Sequence, residues 1–262
     1  MNRGVAVELR NLTVTFNKGT PNEVVALRAA SLRVERGEFI VIVGGNGSGK
    51  STLLRVIAGT LQPDSGLVFL NDRDVTRQPD FRRAKKIGFV HQDPLLGTCP
   101  TLTLHENMVL SAVRKWWQPF PYSLRPLGKQ FDMVAAVGLG LEERLAVPLN
   151  NFSGGQRQAI ALAIAFSRRS PFILLDEYLS SLDEATAERV LDFTLHLARD
   201  ESPTVLLVIH DLDRALRIGE RTVVLHQGRL VDDLPARLVH SLNRFDLMEA
   251  LHGKVIETIH KQ

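Results

Sequence analysis

The sequence predicts an α/β fold built on a mainly parallel sheet, and two observations indicate it. Short strand-like and helix-like segments alternate along the chain, a pattern typical of this fold class. Three strand-like segments are uninterrupted apolar runs, as expected for strands covered on both faces. We therefore place these runs at the centre of the sheet: Phe39 to Val43, Phe172 to Leu175 and Val205 to Ile209.

A small antiparallel β subdomain and a helical subdomain are expected beside this core. Residues Val7 to Phe16 alternate apolar and polar side chains well enough for a half-exposed antiparallel strand pair, and Leu67 to Leu70 is another short candidate. The β subdomain is assigned to about residues 5–38 and 65–75. Helical segments broken by glycine and proline predict the helical subdomain at about residues 94–167.

The composition describes a globular chain with a full core. It has 262 residues, of which 44% are hydrophobic and 23% charged. The 32 basic residues barely exceed the 29 acidic ones, so no direct nucleic-acid partner is expected. The single cysteine, Cys99, excludes an internal disulfide. Every apolar run is much shorter than the roughly 20 residues of a spanning helix, so any membrane partner is expected to be another chain.

A glycine-rich loop directly follows the first buried strand and opens a helix. Its glycines allow backbone N–H groups to surround phosphate oxygens. Lys50 would reach the β- and γ-phosphates, and Ser51 would hold Mg²⁺. A plain glycine turn is disfavoured by the strand-then-helix context, so the core is predicted to be that of a P-loop (RecA-like) NTPase. The loop comprises Gly44, Gly45, Asn46, Gly47, Ser48, Gly49, Lys50, Ser51 and Thr52.

Two carboxylates directly follow the second apolar run, and they restrict the kinds of P-loop protein that this chain can be. Asp176 would hold Mg²⁺ directly or through water. Glu177 would then orient and polarise the water that attacks the γ-phosphate. Without the P-loop, the two acids could equally end a strand at the surface. Together with it, they predict chemistry at a nucleotide γ-phosphate that uses Mg²⁺, where the P-loop alone would also fit a kinase, a GTPase or a motor.

A polar segment between Asn151 and Gln158 resembles the signature motif of the ATP-binding cassette (ABC) ATPase family. It places Ser153, Gly154, Gly155 and Gln156 at a helix start, where anions bind. A helix N-cap alone would explain the serine. The resemblance implies one ABC domain over residues 7–258, and two ATP molecules held between paired cassettes, each contacted by the signature of the opposite subunit.

Four further positions resemble family elements, and each has a simpler alternative. Gln92 resembles the glutamine that senses Mg²⁺ and water, or is a solvated loop residue. Asp183, after Ser180-Ser181-Leu182, resembles the loop that crosses the dimer interface, and Ser181 or Asp183 could also cap a helix. His210 resembles the histidine that contacts γ-phosphate, or is structural. Phe16 resembles the aromatic that stacks on adenine, or is core.

Within the family, segments 19–24 and 92–98 resemble a bacterial uptake branch that pairs with tryptophan/tyrosine-type substrate-binding proteins. The resemblance implies an integral-membrane permease as partner, and a cytoplasmic location at the inner face of the cell membrane. The chain departs from the family at Gly45, where proline is common, and at Tyr178-Leu179, where Pro-Thr is common. Trp116 and Trp117 are either a docking anchor or packing residues.

Three alternatives share the motifs. An exporter motor would carry every element above. A non-transport cassette acting on nucleic acid or ribosomes usually has two cassettes or a long coiled-coil insertion, and neither is seen. A purely regulatory cassette is disfavoured by the intact Lys50, Glu177 and His210.

The basic run 82–86 is expected to be a solvated face rather than a contact with anionic lipid or the partner.

Overall fold

The structure, a computed structural model, describes residues 4–112 and 128–251. Trp116 and Trp117, with the alternatives for their role, lie outside the described residues. The chain divides into two compact units, residues 1–84 with 204–262 and residues 85–203. These boundaries differ from the division expected from sequence, which stays a prediction. Among the described helices, none is long and apolar enough to cross a membrane.

Ten strands and nine α-helices are formed by the described residues. The strands are β1 (Val5–Phe16), β2 (Val24–Glu35), β3 (Phe39–Val43), β4 (Ser65–Leu70), β5 (Arg73–Asp74), β6 (Ile87–Val90), β7 (Phe172–Asp176), β8 (Thr204–Val208), β9 (Arg221–His226) and β10 (Arg229–Leu234). The helices are α1 (Lys50–Ala58), α2 (Asp80–Arg83), α3 (Leu104–Ala112), α4 (Gly128–Ala136), α5 (Gly154–Ser167), α6 (Glu184–Glu201), α7 (Leu212–Ile218), α8 (Ala236–Val239) and α9 (Arg244–Leu251).

The first unit contains the expected antiparallel β layer. Its strand order is β2-β1-β4-β5, and β1 pairs antiparallel with both neighbours, as in Val7 with Val34 and with Leu70. Residues Val7 to Phe16 form one continuous strand rather than a strand pair, and the partner is β2. Their alternating pattern is still explained, because the layer buries one face of each strand.

The same unit contains the mainly parallel strands. β3 lies between β8 and β9 and is parallel to both, while β10 pairs antiparallel with β9. Ile40 to Val43 are fully buried, as predicted for a strand covered on both faces. One side packs on α7, α8 and α9 through Leu212, Val239 and Leu247. The P-loop therefore begins at the end of a strand that is held within the buried core.

The second unit pairs β6 and β7 in parallel, with Ile87 opposite Phe172 and Val90 opposite Leu175. Helices α3 to α6 complete the described part of this unit, with short 3-10 helices at Pro94–Gly97, Glu142–Arg144 and Leu149–Asn151. Helix α5 has an almost entirely buried middle. Gly88 of β6 lies so close to Ile173 and Ala165 that a β-carbon there would crowd both.

Candidate nucleotide-binding and hydrolysis elements

The P-loop joins β3 to α1 in a conformation that needs glycine. Gly49 is the N-cap of α1 and has φ of 104°, in the left-handed region. A β-carbon at Gly49 would collide with the carbonyl oxygen of Ala26 in β2. A β-carbon at Gly44 would likewise strike the Leu225 carbonyl oxygen and the Ser48 hydroxyl. By contrast, a β-carbon at Gly45 would meet nothing within 4 Å, so packing does not require the glycine that replaces the family's proline.

Lys50 hydrogen-bonds to the backbone of the P-loop itself. Its side chain is buried, and Nζ donates to the carbonyl oxygens of Gly44 and Gly45 at 2.9 and 3.0 Å. The Ser48 hydroxyl is also buried, and it lacks a hydrogen-bond partner within the described residues. A cation, an unsatisfied hydroxyl and the amino end of α1 together suit a phosphate group. The loop therefore fits the nucleotide predicted for it.

The two predicted carboxylates lie at the end of β7. Asp176 is the last residue of the strand and is 8% exposed. Glu177 follows it with φ of 44° and a half-buried side chain. A left-handed backbone is uncommon for a residue other than glycine and is found often at functional sites.

Tyr178, noted in the sequence only as a departure from the family, anchors this turn. It is fully buried, and its hydroxyl donates to Thr194 Oγ1 at 2.8 Å. Thr194 in turn donates to the Val190 carbonyl oxygen at 2.7 Å, both residues lying in α6. The hydroxyl of a buried tyrosine needs such a partner. The residue after Glu177 is thus fastened to α6 in a way that proline would not allow.

Gln92 connects two loops of the second unit. Its Nε2 donates to the Ser180 hydroxyl at 3.1 Å, and its side chain is exposed, so the solvated-loop alternative and the predicted role both stay predictions. The preceding residue is also held, because Gln158 of α5 donates to the His91 carbonyl oxygen at 3.1 Å. Gln158 is fully buried, and its position within the signature segment gave no indication of this contact.

Ser153 begins the signature helix with a capping box. Its hydroxyl accepts from the Gln156 N–H at 3.3 Å, and Gln156 Oε1 accepts from the Ser153 N–H at 3.1 Å. This reciprocal arrangement satisfies two backbone donors at a helix start. The N-cap alternative for Ser153 is therefore correct in geometry, and it leaves the predicted anion site at the amino end of α5 in place.

The two signature glycines have different surroundings. A β-carbon at Gly154 would meet nothing within 4 Å, so this backbone is open to a ligand. A β-carbon at Gly155 would collide with Thr186 Cγ2 and come near Leu182. Gly155 is thus required for packing of α5 against the amino end of α6. The sequence motif alone assigned both glycines to nucleotide.

Replacing Gly155 by alanine is expected to destabilise the protein by about 1–3 kcal/mol, because the new methyl overlaps Thr186 Cγ2. Adding Thr186→Ser removes that methyl, keeps the hydroxyl and should restore most of the loss. Urea unfolding of both variants measures this. Gly154→Ala is the matched control and should leave the unfolding free energy unchanged. Equal destabilisation at the two glycines would contradict the packing role of Gly155.

The remaining predicted residues are placed as follows. Asp183 caps α6 by accepting from the Thr186 N–H at 3.0 Å, and hydrogen bonds from Thr186 lower the pKa of its carboxyl. His210 follows β8 and is exposed. Phe16 ends β1, half-buried, opposite Val24. Their roles toward nucleotide stay predictions.

Comparison with known proteins identifies the family. Residues 27–180 match the family model described as ABC transporter. The tyrosine transport ATP-binding protein of Clostridioides difficile is 32% identical over 246 residues, covering 93% of this chain and 97% of that protein. The chain belongs to the ABC transporter family. It is an ATP-binding cassette with ATP hydrolase activity, and the predicted fold class is confirmed.

Two further similarities agree with this assignment. A phosphonates import ATP-binding protein of Lactococcus lactis is 31% identical, covering 85% of this cassette and 92% of that protein. A solved dimeric ATP-binding cassette in a post-hydrolysis state, bound to ADP and Pi, is 31% identical with a TM-score of 0.75, covering 88% of this chain and 99% of that one.

Some contacts of the cassette could not be found from sequence. Arg83 belongs to the run expected to be a solvated face, and that expectation is wrong there, because the residue is 1% exposed. Its neighbours Arg82, Lys85 and Lys86 are exposed as expected. Arg144 contacts the signature motif and was not singled out. No local pattern distinguishes either arginine from a surface cation.

Proposed function

We propose that this cassette is the ATP-hydrolysing subunit of an importer that takes up an amino acid or a similar small molecule. A separate integral-membrane permease carries the solute, an extracytoplasmic substrate-binding protein delivers it, and the cassette lies at the cytoplasmic face of the membrane. The near full-length similarity to a tyrosine transport ATP-binding protein supports this solute class, and the similarity to a phosphonates import ATP-binding protein supports the direction.

The observation that supports a mechanism shared between two cassettes is a pair of helix amino ends that are open to a ligand. One unit presents the amino end of α1 with Lys50, and the other presents the amino end of α5 with an exposed Ser153 and an open Gly154. Each suits a phosphate group. One nucleotide per cassette needs only the first, so the second is proposed to contact the ATP of a partner cassette, giving two shared sites in a homodimer or paired cassette.

The residues around Mg²⁺ are proposed from donor chemistry. The Ser51 hydroxyl, the Asp176 carboxylate and the Gln92 amide are oxygen donors of the kind that Mg²⁺ prefers. Asp176 is nearly buried at the end of β7. When bound, the ion would neutralise charge on the phosphate oxygens.

Hydrolysis is proposed to follow from the residues at the phosphate end. Glu177 orients a water that attacks the γ-phosphorus, and the bond to the β-phosphate oxygen breaks to give ADP and phosphate. His210 contacts the γ-phosphate, and Phe16 stacks on adenine. Asp183 lies at the cassette interface, where its capping of α6 fixes the loop between Glu177 and that helix.

The proposal is tested by uptake in cells that encode this chain. Deleting its gene should abolish energy-dependent accumulation of radiolabelled tyrosine, tryptophan or a related amino acid. The wild-type gene and the surface variant Glu220→Gln should restore it, whereas Lys50→Ala should not, because Lys50 holds the P-loop. Unchanged uptake of all amino acids, or increased retention of a compound in the deletion strain, would show that import of this class is wrong.

A further inference from the structure

The guanidinium of Arg144 contacts three residues of the signature motif. Arg144 ends the short helix Glu142–Arg144 and is half-buried. Nη1 donates to Gln156 Oε1 and Nη2 donates to the Asn151 carbonyl oxygen, both at 3.2 Å. Its Cζ lies 4.2 Å from the centroid of the buried Phe152 ring, within the range of a cation–π contact. One side chain thus holds the residues on both sides of Ser153.

The contact with Gln156 determines which end of its amide is available to a ligand. Oε1 is the only acceptor of this side chain, and it receives N–H groups from Ser153 and Arg144. The amide NH₂ is therefore the end that remains to donate beyond the loop. A reversed amide would place its NH₂ against the guanidinium and its oxygen at the anion site, and both changes are unfavourable for phosphate.

The capping box alone gives a weaker preference. A hydrogen bond from a neutral N–H is about half as strong as one from a charged donor. Arg144 supplies the charged donor, and the Phe152 ring packs against its guanidinium. The bond to the Asn151 carbonyl oxygen also restrains the backbone that enters Ser153. These contacts act on the same few atoms at the start of α5.

We propose that Arg144 is a positioning residue for the shared ATP site. It holds the Gln156 amide with its NH₂ group toward the nucleotide of the second cassette, and it keeps the loop before Ser153 in the conformation that accepts phosphate. The inference rests on the proposed function, because only a cassette pair brings a nucleotide to this helix. Arg144 itself acts through Gln156 and Asn151.

The test measures ATP-dependent dimerisation in a Glu177→Gln background, by size exclusion with mass determination in Mg-free ATP. Arg144→Ala should raise the ATP concentration for half-dimerisation roughly tenfold, as expected for loss of one charged hydrogen bond. Nucleotide affinity of the monomer should not change, and the unfolding temperature should fall by no more than a few degrees. Arg144→Lys, which keeps a cationic donor, should recover part of the shift. Arg189→Ala, an exposed arginine of the same unit, is the control without effect.

A double-mutant cycle shows whether Arg144 acts through Gln156. Gln156→Ala alone should raise the half-dimerisation concentration, and adding Arg144→Ala should change it by less than about twofold more. Ser153→Arg, which obstructs the helix start, should prevent dimerisation altogether. Independent, additive shifts from Arg144 and Gln156 would overturn the coupling.

The outcomes separate this inference from the proposed function. If the Glu177→Gln parent binds ATP and stays monomeric, the shared site is refuted and the role of Arg144 with it. If the parent dimerises and Arg144→Ala dimerises at the same ATP concentration, only the positioning role is wrong. If Arg144→Ala lowers the unfolding temperature and the nucleotide affinity of the monomer together, Arg144 is a structural residue and the proposal is overturned.

Discussion

Replacing Glu177 by glutamine is expected to slow ATP turnover by a factor of about 10²–10⁴, the usual contribution of a positioned general base. Glutamine has the same shape and can occupy the same left-handed turn at φ of 44°, but its amide does not accept a proton from the attacking water. Binding of ATP should be retained, since the residues of the P-loop are unchanged and glutamine replaces glutamate without adding bulk. Single-turnover hydrolysis, measured alongside equilibrium ATP binding, checks both expectations.

The control for this variant is Glu220→Gln, the same change at an exposed carboxylate. It should hydrolyse ATP at the parental rate. A Glu177→Gln protein that also turns over at the parental rate would show that another group activates the water. A variant that loses ATP binding as well would instead indicate that Glu177 maintains the nucleotide site rather than the chemical step.

The sequence predicted the elements whose patterns are local. The apolar run Phe39 to Val43 predicted a strand covered on both faces. The glycines that follow it predicted the turn of the P-loop between this strand and α1. The capping pattern of Ser153 and Gln156 likewise follows from spacing within one helical turn. In each case the interacting atoms are a few residues apart, so the pattern and the structure contain the same information.

Contacts between distant segments could not be predicted in this way. Gly155 appeared to be a ligand-binding glycine, but its packing against Thr186 depends on how α5 meets α6. Tyr178 appeared only as an unusual residue, because its partner Thr194 lies one helix away. Glutamine and arginine side chains such as Gln158 and Arg144 are long enough for several targets, and only the fold selects one.

Arg83 is the clearest example, and its replacement by methionine is expected to cause the largest loss of stability. The side chain is 1% exposed and donates to five carbonyl oxygens. Two belong to Val56 and Ile57 in the last turn of α1, where the Gly59 N–H also donates to the Val56 carbonyl oxygen. The guanidinium also complements the negative end of the helix dipole.

Neighbouring residues leave space for the buried Arg83 side chain. Gly59, which ends α1 with φ of 85°, leaves no room for a β-carbon because the Arg83 side chain occupies that space. Burial lowers the pKa of the Arg83 guanidinium, and the Asp74 carboxylate opposes this change. All five donors are satisfied, so the cation remains stable without a carboxylate in direct contact.

Arg83→Met should therefore lower the free energy of unfolding by about 3–5 kcal/mol, since methionine fills similar space and leaves the Ile57, Thr76 and Gln78 carbonyl oxygens without the donor that Arg83 supplies. Arg83→Lys should lose less, because an ammonium keeps the charge and up to three donors. Arg82→Met, at the exposed neighbour, should stay within about 0.5 kcal/mol of the parent. Urea unfolding at equilibrium measures all three. The P-loop precedes the other end of α1. ATP affinity should therefore also fall in Arg83→Met, measured at urea concentrations well below the unfolding midpoint of that variant. Equal stability of the Arg83 and Arg82 variants would mean that the five contacts contribute nothing net.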